Sequence, residues 1–359
     1  MGYIPRPPRG RATGTKVVKR RPGSCSTRDD ASTADFWGSD GGTGRSGLRD
    51  IGRSKVSTWR RTTPLEASRV SEYRSGQHCR TTCPNQPTRG TPMRIGIIGT
   101  GNIGASIVRA LSAAGHDVAV ANSRGPQTIP AELLVDGARP VTPAQAVEGA
   151  EVVILSVPLS AIPTLAPLLT DLPEDATVID TSNYYPGRDG TDLLPAGMVE
   201  SLWVSEQLGR PVAKAWNAIG SASLATKGTP AGTPGRIALP VAADRSIDKQ
   251  RAMALVEETG FDAFDAGSLA ESWRQQPGTP AYGTDLTLDS LPAALGRADA
   301  ERAPERRDLV VKVFSSWLGA GTNPDAQWGV AVARLICGGP ADPADAADPS
   351  KAEGSTAEH

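Results

Sequence analysis

The chain has 359 residues, with 38 Lys and Arg against 39 Asp and Glu, 38% hydrophobic residues, 39 Gly, 30 Pro and 4 Cys. That is long enough for about two domains and apolar enough for a packed core. No stretch holds the roughly 18 apolar residues of a membrane-spanning helix. The N-terminus lacks a secretory apolar core, and four cysteines are too few for a disulfide framework. A cytoplasmic protein with no membrane partner is the expectation.

The charge is divided unevenly. Residues 1–92 hold 18 Lys and Arg against 7 Asp and Glu, and the rest of the chain holds 20 against 32. The first 92 residues are rich in Arg, Ser, Thr, Gly and Pro and show no lasting apolar period, so a disordered basic extension is expected. Its arginines are scattered and its aromatics (Trp37, Trp59, Tyr73) sparse, which argues against a nucleic-acid arm. Met93 stands directly before an apolar run, so the extension reads as upstream sequence ahead of a native start. His78, Cys79 and Cys83 lack the second half of a zinc pattern, so no metal is expected.

From Arg94 onward strands and helices alternate. Arg94–Ile98 reads as a buried strand. Ile103, Ile107, Val108, Leu111 and Ala114 recur at helical spacing, and Gly115 fits the helix end. Strands follow at Asp117–Asn122, at a short run ending near Val141, and at Glu151–Val157. Ala161–Leu169 reads as a helix and Thr177–Thr181 as a strand. Met198–Leu208 is helical, and Val212–Trp216 and Arg236–Ala242 are strands. Ser246–Thr259 is a helix with Ser246 as its cap, and Phe261–Phe264 returns as a strand. After Gly267 the strand signals stop and helical patterns run through Gly319. Residues 340–359 read as a disordered tail, and Cys337 as a lone thiol. The alternation implies an α/β fold: a doubly wound, mostly parallel Rossmann sheet with a small helical C-terminal region. The domains expected are 93–266 for the sheet and 267–339 for the helices.

The strongest motif is Gly99-Thr100-Gly101-Asn102-Ile103-Gly104, a G-x-G-x-x-G between a strand and an amphipathic helix. Gly99 permits the tight turn, Gly101 lets backbone approach a pyrophosphate, and Gly104 allows close helix–strand packing. The end of the second strand reads Asn122-Ser123-Arg124, with no acid for a ribose 2′-hydroxyl. Arg124 suits a 2′-phosphate, so the cofactor expected is NADP(H). Ligands in such sheets sit at the carboxyl ends of the strands. Those ends carry Ser156-Val157-Pro158, Thr181-Ser182-Asn183, Lys214-Ala215-Trp216-Asn217 and Asp265-Ala266-Gly267.

Ile97 to Gly104, Ser123-Arg124, Val157-Pro158, Lys214-Ala215-Trp216-Asn217 and Asp265-Ala266-Gly267 resemble the NADP oxidoreductases that depend on the deazaflavin coenzyme F-420, over about residues 93–320. The resemblance implies a Rossmann domain, a small C-terminal domain, a homodimer, and hydride transfer between NADPH and a deazaflavin. It implies that Thr100, Asn102, Ile103, Ser123 and Arg124 hold NADP, and that Val157, Pro158 and Ala215 line the nicotinamide. Thr191–Gly197 and Glu271–Tyr282 depart from the family pattern and look like features of a bacterial side branch. Members of that branch need not use the deazaflavin, so the expected small-molecule acceptor stays open, with F-420 and FMN as candidates. Trp273, Arg274, Gln275 and Tyr282 are candidates for its pocket, with Arg274 facing an acidic tail.

Hydride transfer between stacked rings needs orientation rather than an acid–base pair. His116, at the end of the first helix, reads as structural. Two other functions fit the same motifs. In a β-hydroxyacid or 6-phosphogluconate-type dehydrogenase, Lys214 would be the general acid–base and Asn217 would orient substrate. The short stretch after Gly267 counts against that reading. A non-enzymatic NADP(H)-binding sensor is the other.

Overall fold

The computed structural model describes residues 91–318 and 325–338. The readings made for the N-terminal extension, for His78, Cys79 and Cys83, and for the C-terminal tail lie outside them. Eight strands form one sheet in the order β3-β2-β1-β4-β5-β6-β7-β8. They are β1 (Arg94–Ile98), β2 (Asp117–Ala121), β3 (Arg139–Pro140), β4 (Val152–Leu155), β5 (Thr177–Asp180), β6 (Ala213–Lys214), β7 (Ala238–Ala243) and β8 (Asp262–Asp265). Every pairing is parallel except β6 with β7. The helices are α1 (Asn102–Ala114), α2 (Pro143–Val147), α3 (Pro186–Asp189), α4 (Glu200–Leu208), α5 (Ser221–Thr226), α6 (Ser246–Glu258), α7 (Leu291–Gly296), α8 (Ala303–Leu318) and α9 (Ala326–Cys337). The sheet is thus a doubly wound Rossmann type with helices at the C-terminal end, as its sequence pattern implies.

Alternate side chains of the central strands feed two cores. Ile95 and Ile97 join Ile107 and Leu111 of α1 and Leu255 of α6 on one face. Ile98, Val153, Leu155 and Val178 meet Trp203 and Leu208 of α4 on the other. Strands buried on both faces read as continuous apolar runs, and the sequence shows this in β1, β2 and β4. His116 ties the ends of α1 and α6 to β1. Its Nδ1 accepts the Met93 N–H at 3.1 Å and its Nε2 pairs with Glu258.

Three elements differ from the sequence pattern. Leu159–Leu169 winds as a 3₁₀ helix, because Pro163 and Pro167 lack the N–H that an α-helix needs inside it. The strand expected at Val212–Trp216 keeps only Ala213 and Lys214, since Trp216 turns the chain with a φ of 55°. Ser246 is the first residue of α6 rather than its cap. Arg245 holds the cap position, and its side chain reaches Asp248 in the first turn. Beyond β8 a 3₁₀ turn (Leu269–Gln275) and α7 lead to α8 and α9, which pack together through Phe314 and Trp328, ring centroids 5.3 Å apart. No helix among the described residues is long and apolar enough to cross a membrane.

Candidate functional site

A cavity of about 710 Å³ opens over the carboxyl ends of β1, β2, β4, β5 and β6. Its floor is the glycine loop and its roof is α8 and α9. One volume therefore runs from the start of α1 to Phe314 and Val330.

The loop end is built from backbone. Gly99 has a φ of 114°, and a Cβ there would meet the Ser156 carbonyl oxygen at 2.0 Å. A Cβ on Gly104 would meet the Gly99 oxygen at 2.1 Å, so the loop lies against the helix with no room for a side chain. Gly101 differs, since a Cβ there would meet nothing within 4 Å. It faces the open space before α1, whose first turn has no acidic residue and no side-chain cap. Free N–H groups and the positive dipole end point into that space, as a pyrophosphate requires. Asn122 braces the loop from β2. Its Nδ2 reaches Thr100 at 3.5 Å and Thr128 at 3.0 Å, and its Oδ1 accepts the Arg124 N–H at 3.0 Å. Ser123 and Arg124 are exposed at the cavity rim. The Arg124 guanidinium has no carboxylate partner among the described residues. These groups fit NADP: an open cradle for the pyrophosphate and an unengaged cation where a 2′-phosphate would sit.

The other end is built from side chains. Asn183 follows β5, Asn217 follows β6, Gln275 ends the 3₁₀ turn after β8, and Tyr282 lies in the loop beyond. Asn217 Nδ2 donates to Asn183 Oδ1 at 3.1 Å and to the Gln275 carbonyl at 2.9 Å. Gln275 Nε2 returns a bond to Asn217 Oδ1 at 2.8 Å. Asn183 Nδ2 donates to the Asn217 carbonyl at 3.0 Å and, at 3.4 Å, to the Tyr282 hydroxyl. Tyr282 and Tyr185 hydroxyls stand 2.7 Å apart. Burial pushes Tyr282 up to about 12 and Tyr185 well above the usual phenol value, so both keep their protons at working pH.

Gly99, Thr100, Gly101, Asn102, Ile103, Asn122, Ser123, Arg124, Ser156, Val157, Pro158, Asn183 and Asn217 all line the cavity. Gly104 lies beneath it as packing, and Ala215 is fully buried off its wall. Lys214 does not reach it either. Its ammonium is wholly buried, 2.7 Å from Asp180 Oδ2 and bonded to the Ser182 carbonyl. A buried lysine needs such a partner. With two of its donors held by Asp180 and the Ser182 carbonyl, and no place on the cavity wall, Lys214 is a strut between β6 and β5. Near it Glu200 is buried with Oε2 unpartnered, and desolvation raises its carboxyl to about 7.

The acceptor pocket expected at 273–282 is redistributed. Tyr282 lines the cavity, and Gln275 stands behind Asn217. Arg274 pairs with Glu271 and stacks 4.4 Å from the Trp273 ring, and neither Trp273 nor Arg274 touches the cavity. Asp265 closes a turn onto the Gly267 N–H and pairs with Lys249, away from the site. The arginines on the inner wall are Arg188 of α3 and Arg307 of α8. The sequence analysis missed both, along with Tyr185 and the apolar roof. The only available signal was the apolar period of α8, which carries Val310, Val311 and Phe314.

A model of the family described as NADP oxidoreductase coenzyme F420-dependent matches residues 94–184. YjhV of Escherichia coli (strain K12) is 54% identical over 95 residues, 26% of this chain and 67% of that protein. Among solved structures, a hypothetical protein of Sinorhizobium meliloti is 30% identical, with a TM-score of 0.48, and the match covers 54% of this chain and 95% of that one. A proposed F420-dependent NADP reductase of Arthrobacter is 18% identical, with a TM-score of 0.43, over 64% of this chain and 97% of that one.

Proposed function

The chain belongs to the family of coenzyme F420-dependent NADP oxidoreductases, and from that premise we propose that it passes hydride between NADPH and a deazaflavin or flavin-like acceptor. The observation that carries the reading is one continuous cavity, with the glycine loop at one end and, at the other, a chamber roofed by Val310, Val311, Phe314 and Val330. Among the described residues its wall carries no Lys, His or Glu. Asp325 on that wall caps α9, accepting the Gln327 and Trp328 N–H groups at 2.9 Å. The Cys337 thiol is pushed up to about 11 by burial. Such a wall suits transfer between two stacked rings, where orientation supplies most of the rate.

Bound NADPH supplies the hydride. In this reading Gly99, Thr100, Gly101, Asn102 and Ile103 hold the pyrophosphate, with Gly104 as packing. Asn122, Ser123 and Arg124 hold the 2′-phosphate and its ribose. Ser156, Val157 and Pro158 wall the nicotinamide and exclude water, and Asn183 closes its far side. The dehydrogenase alternative needs Lys214 as its acid–base, and the burial of that ammonium against Asp180 weighs against it.

The test is NADPH oxidation by the purified full chain, with the deazaflavin coenzyme and FMN as parallel acceptors. Turnover with the deazaflavin, or with both, is the expected result. Tight NADPH binding with no turnover on either would overturn the reading in favour of a sensor or a small carbonyl substrate.

A further inference from the structure

The roof of the acceptor chamber carries a cation that the fold leaves largely unengaged. Arg307 lies in the second turn of α8 and lines the cavity with Val310, Val311 and Phe314, which follow it at helical spacing on the same face. Gly278 fixes the place of that face. Its φ is 92°, and a Cβ there would meet the Ala303 oxygen at 1.9 Å and the Arg307 nitrogen at 2.9 Å. Loop and helix therefore meet backbone to backbone, which sets Arg307 beside the stretch that carries Gln275 and Tyr282.

The Arg307 side chain is 11% exposed, yet its ion pair is with Asp308, which is 63% exposed, through Nε at 2.8 Å. The guanidinium stands 5.5 Å from the Tyr184 ring centroid, and its Nη1 and Nη2 have no hydrogen-bond partner among the described residues. Other arginines drawn into the protein are held differently. Backbone carbonyls of Leu169 and Leu172 hold Arg210, and Glu257, Asp262 and the Gly260 carbonyl hold Arg236. Arg188, on the same cavity wall, is held by both oxygens of Asp189 and by the Asn183 carbonyl. A guanidinium taken out of water needs such partners, and an exposed neighbour offsets little of that cost. Glu200, the buried carboxyl within electrostatic reach, makes no hydrogen bond to Arg307. Asp325, the one acid on the cavity wall among the described residues, is committed to the first turn of α9.

We propose that Arg307 is the anion-binding residue of the acceptor site, and that the acceptor carries a phosphate or carboxylate that pairs with its terminal nitrogens while the ring lies under Val310, Val311 and Phe314. The planar fork of a guanidinium matches either oxyanion with two parallel hydrogen bonds. This rests on the hydride-transfer reading above and narrows its acceptor to a molecule with a flat apolar part and an acidic substituent.

The experiment uses two pairs of acceptors that share a ring and differ in charge: the deazaflavin coenzyme against its tail-free riboside, and FMN against riboflavin. Affinity for each is read by fluorescence quenching on the NADP⁺-loaded full chain, as wild type and as Arg307→Met, which keeps the apolar stem. The wild type should prefer the charged member of at least one pair by about tenfold or more, and Arg307→Met should reduce that ratio to about twofold or less. A preference in the flavin pair assigns the phosphate, and one confined to the deazaflavin pair assigns the carboxylates of its longer tail. A wild-type ratio near one overturns the proposal whatever the variant does, and so does a ratio that survives in Arg307→Met. A wild type that binds none of the four overturns the functional reading instead, and inorganic phosphate then decides the site by itself. At matched ionic strength, about 50 mM phosphate should raise the melting temperature of the NADP⁺-loaded wild type by about 2 °C or more and leave Arg307→Met unchanged. Equal shifts in the two proteins, or none in the wild type, overturn the anion site.

Discussion

The two ends of the cavity are built from different materials. The glycine end presents backbone N–H groups, and three glycines clear the way for them. The tyrosine end presents side chains held by amides from three separate stretches of chain, at Asn183, Asn217 and Gln275. The first end must accept a ligand part common to many enzymes, and backbone suffices. The second is a wall of polar side chains, and a network of oriented amides holds it in place. Just below both lies the Lys214–Asp180 pair, three residues from Asn217 in sequence yet turned to the interior. One short string, Lys214-Ala215-Trp216-Asn217, therefore supplies a strut and a site residue, divided by the positive φ of Trp216.

The contrast can be broken or sharpened residue by residue. Gly104→Ala drives a Cβ into the Gly99 carbonyl and should cost about 5 kcal/mol or prevent folding, read by thermal denaturation. Lys214→Met leaves Asp180 buried without its partner and should lower stability by about 3–5 kcal/mol. The fraction that stays folded should keep its kcat, whereas a catalytic lysine would lose turnover at unchanged stability. Glu200 binds its proton more tightly folded than unfolded. Its contribution is full below about 4.5 and lost as pH rises through about 7, a fall on the order of 3 kcal/mol. Glu200→Gln should flatten that part of the stability–pH curve. Arg124→Ala should weaken NADPH by about 2 kcal/mol and leave NADH almost unchanged in a binding titration. Gly101→Ala separates fold from site at the glycine end. With a φ of −68° and open space around it, the variant should melt like wild type yet bind NADPH at least about tenfold more weakly.

How much of this was legible in the sequence follows from contact range. The glycine loop is six consecutive residues between a strand and a helix, and Asn122 to Arg124 follow the next strand, so local pattern was enough. The sheet was legible because strands buried on both faces are apolar throughout. At the tyrosine end the sequence singles out Asn183, Asn217, Gln275 and Tyr282 but not the contacts between them. Asn183 and Asn217 are 34 residues apart, Asn217 and Gln275 are 58 apart, and Asn183 and Tyr282 are 99 apart. No periodicity joins such positions. The place of Lys214 had a faint signal: a lysine and an aspartate each end a short, largely apolar strand. The 3₁₀ form of Leu159–Leu169 was visible in Pro163 and Pro167, but the apolar spacing masked it.

The central claim is that nicotinamide and acceptor share one chamber and that hydride crosses directly between them. NADPH deuterated at the transferring position of nicotinamide C4, oxidised by the full chain with the deazaflavin, tests it. The account predicts one deuterium per turnover at the hydride-accepting carbon of the reduced deazaflavin, with intersecting initial-rate lines from a ternary complex. Deuterium lost to solvent, with parallel lines, would mean that a group on the protein carries the hydrogen between two separate sites, and would contradict it.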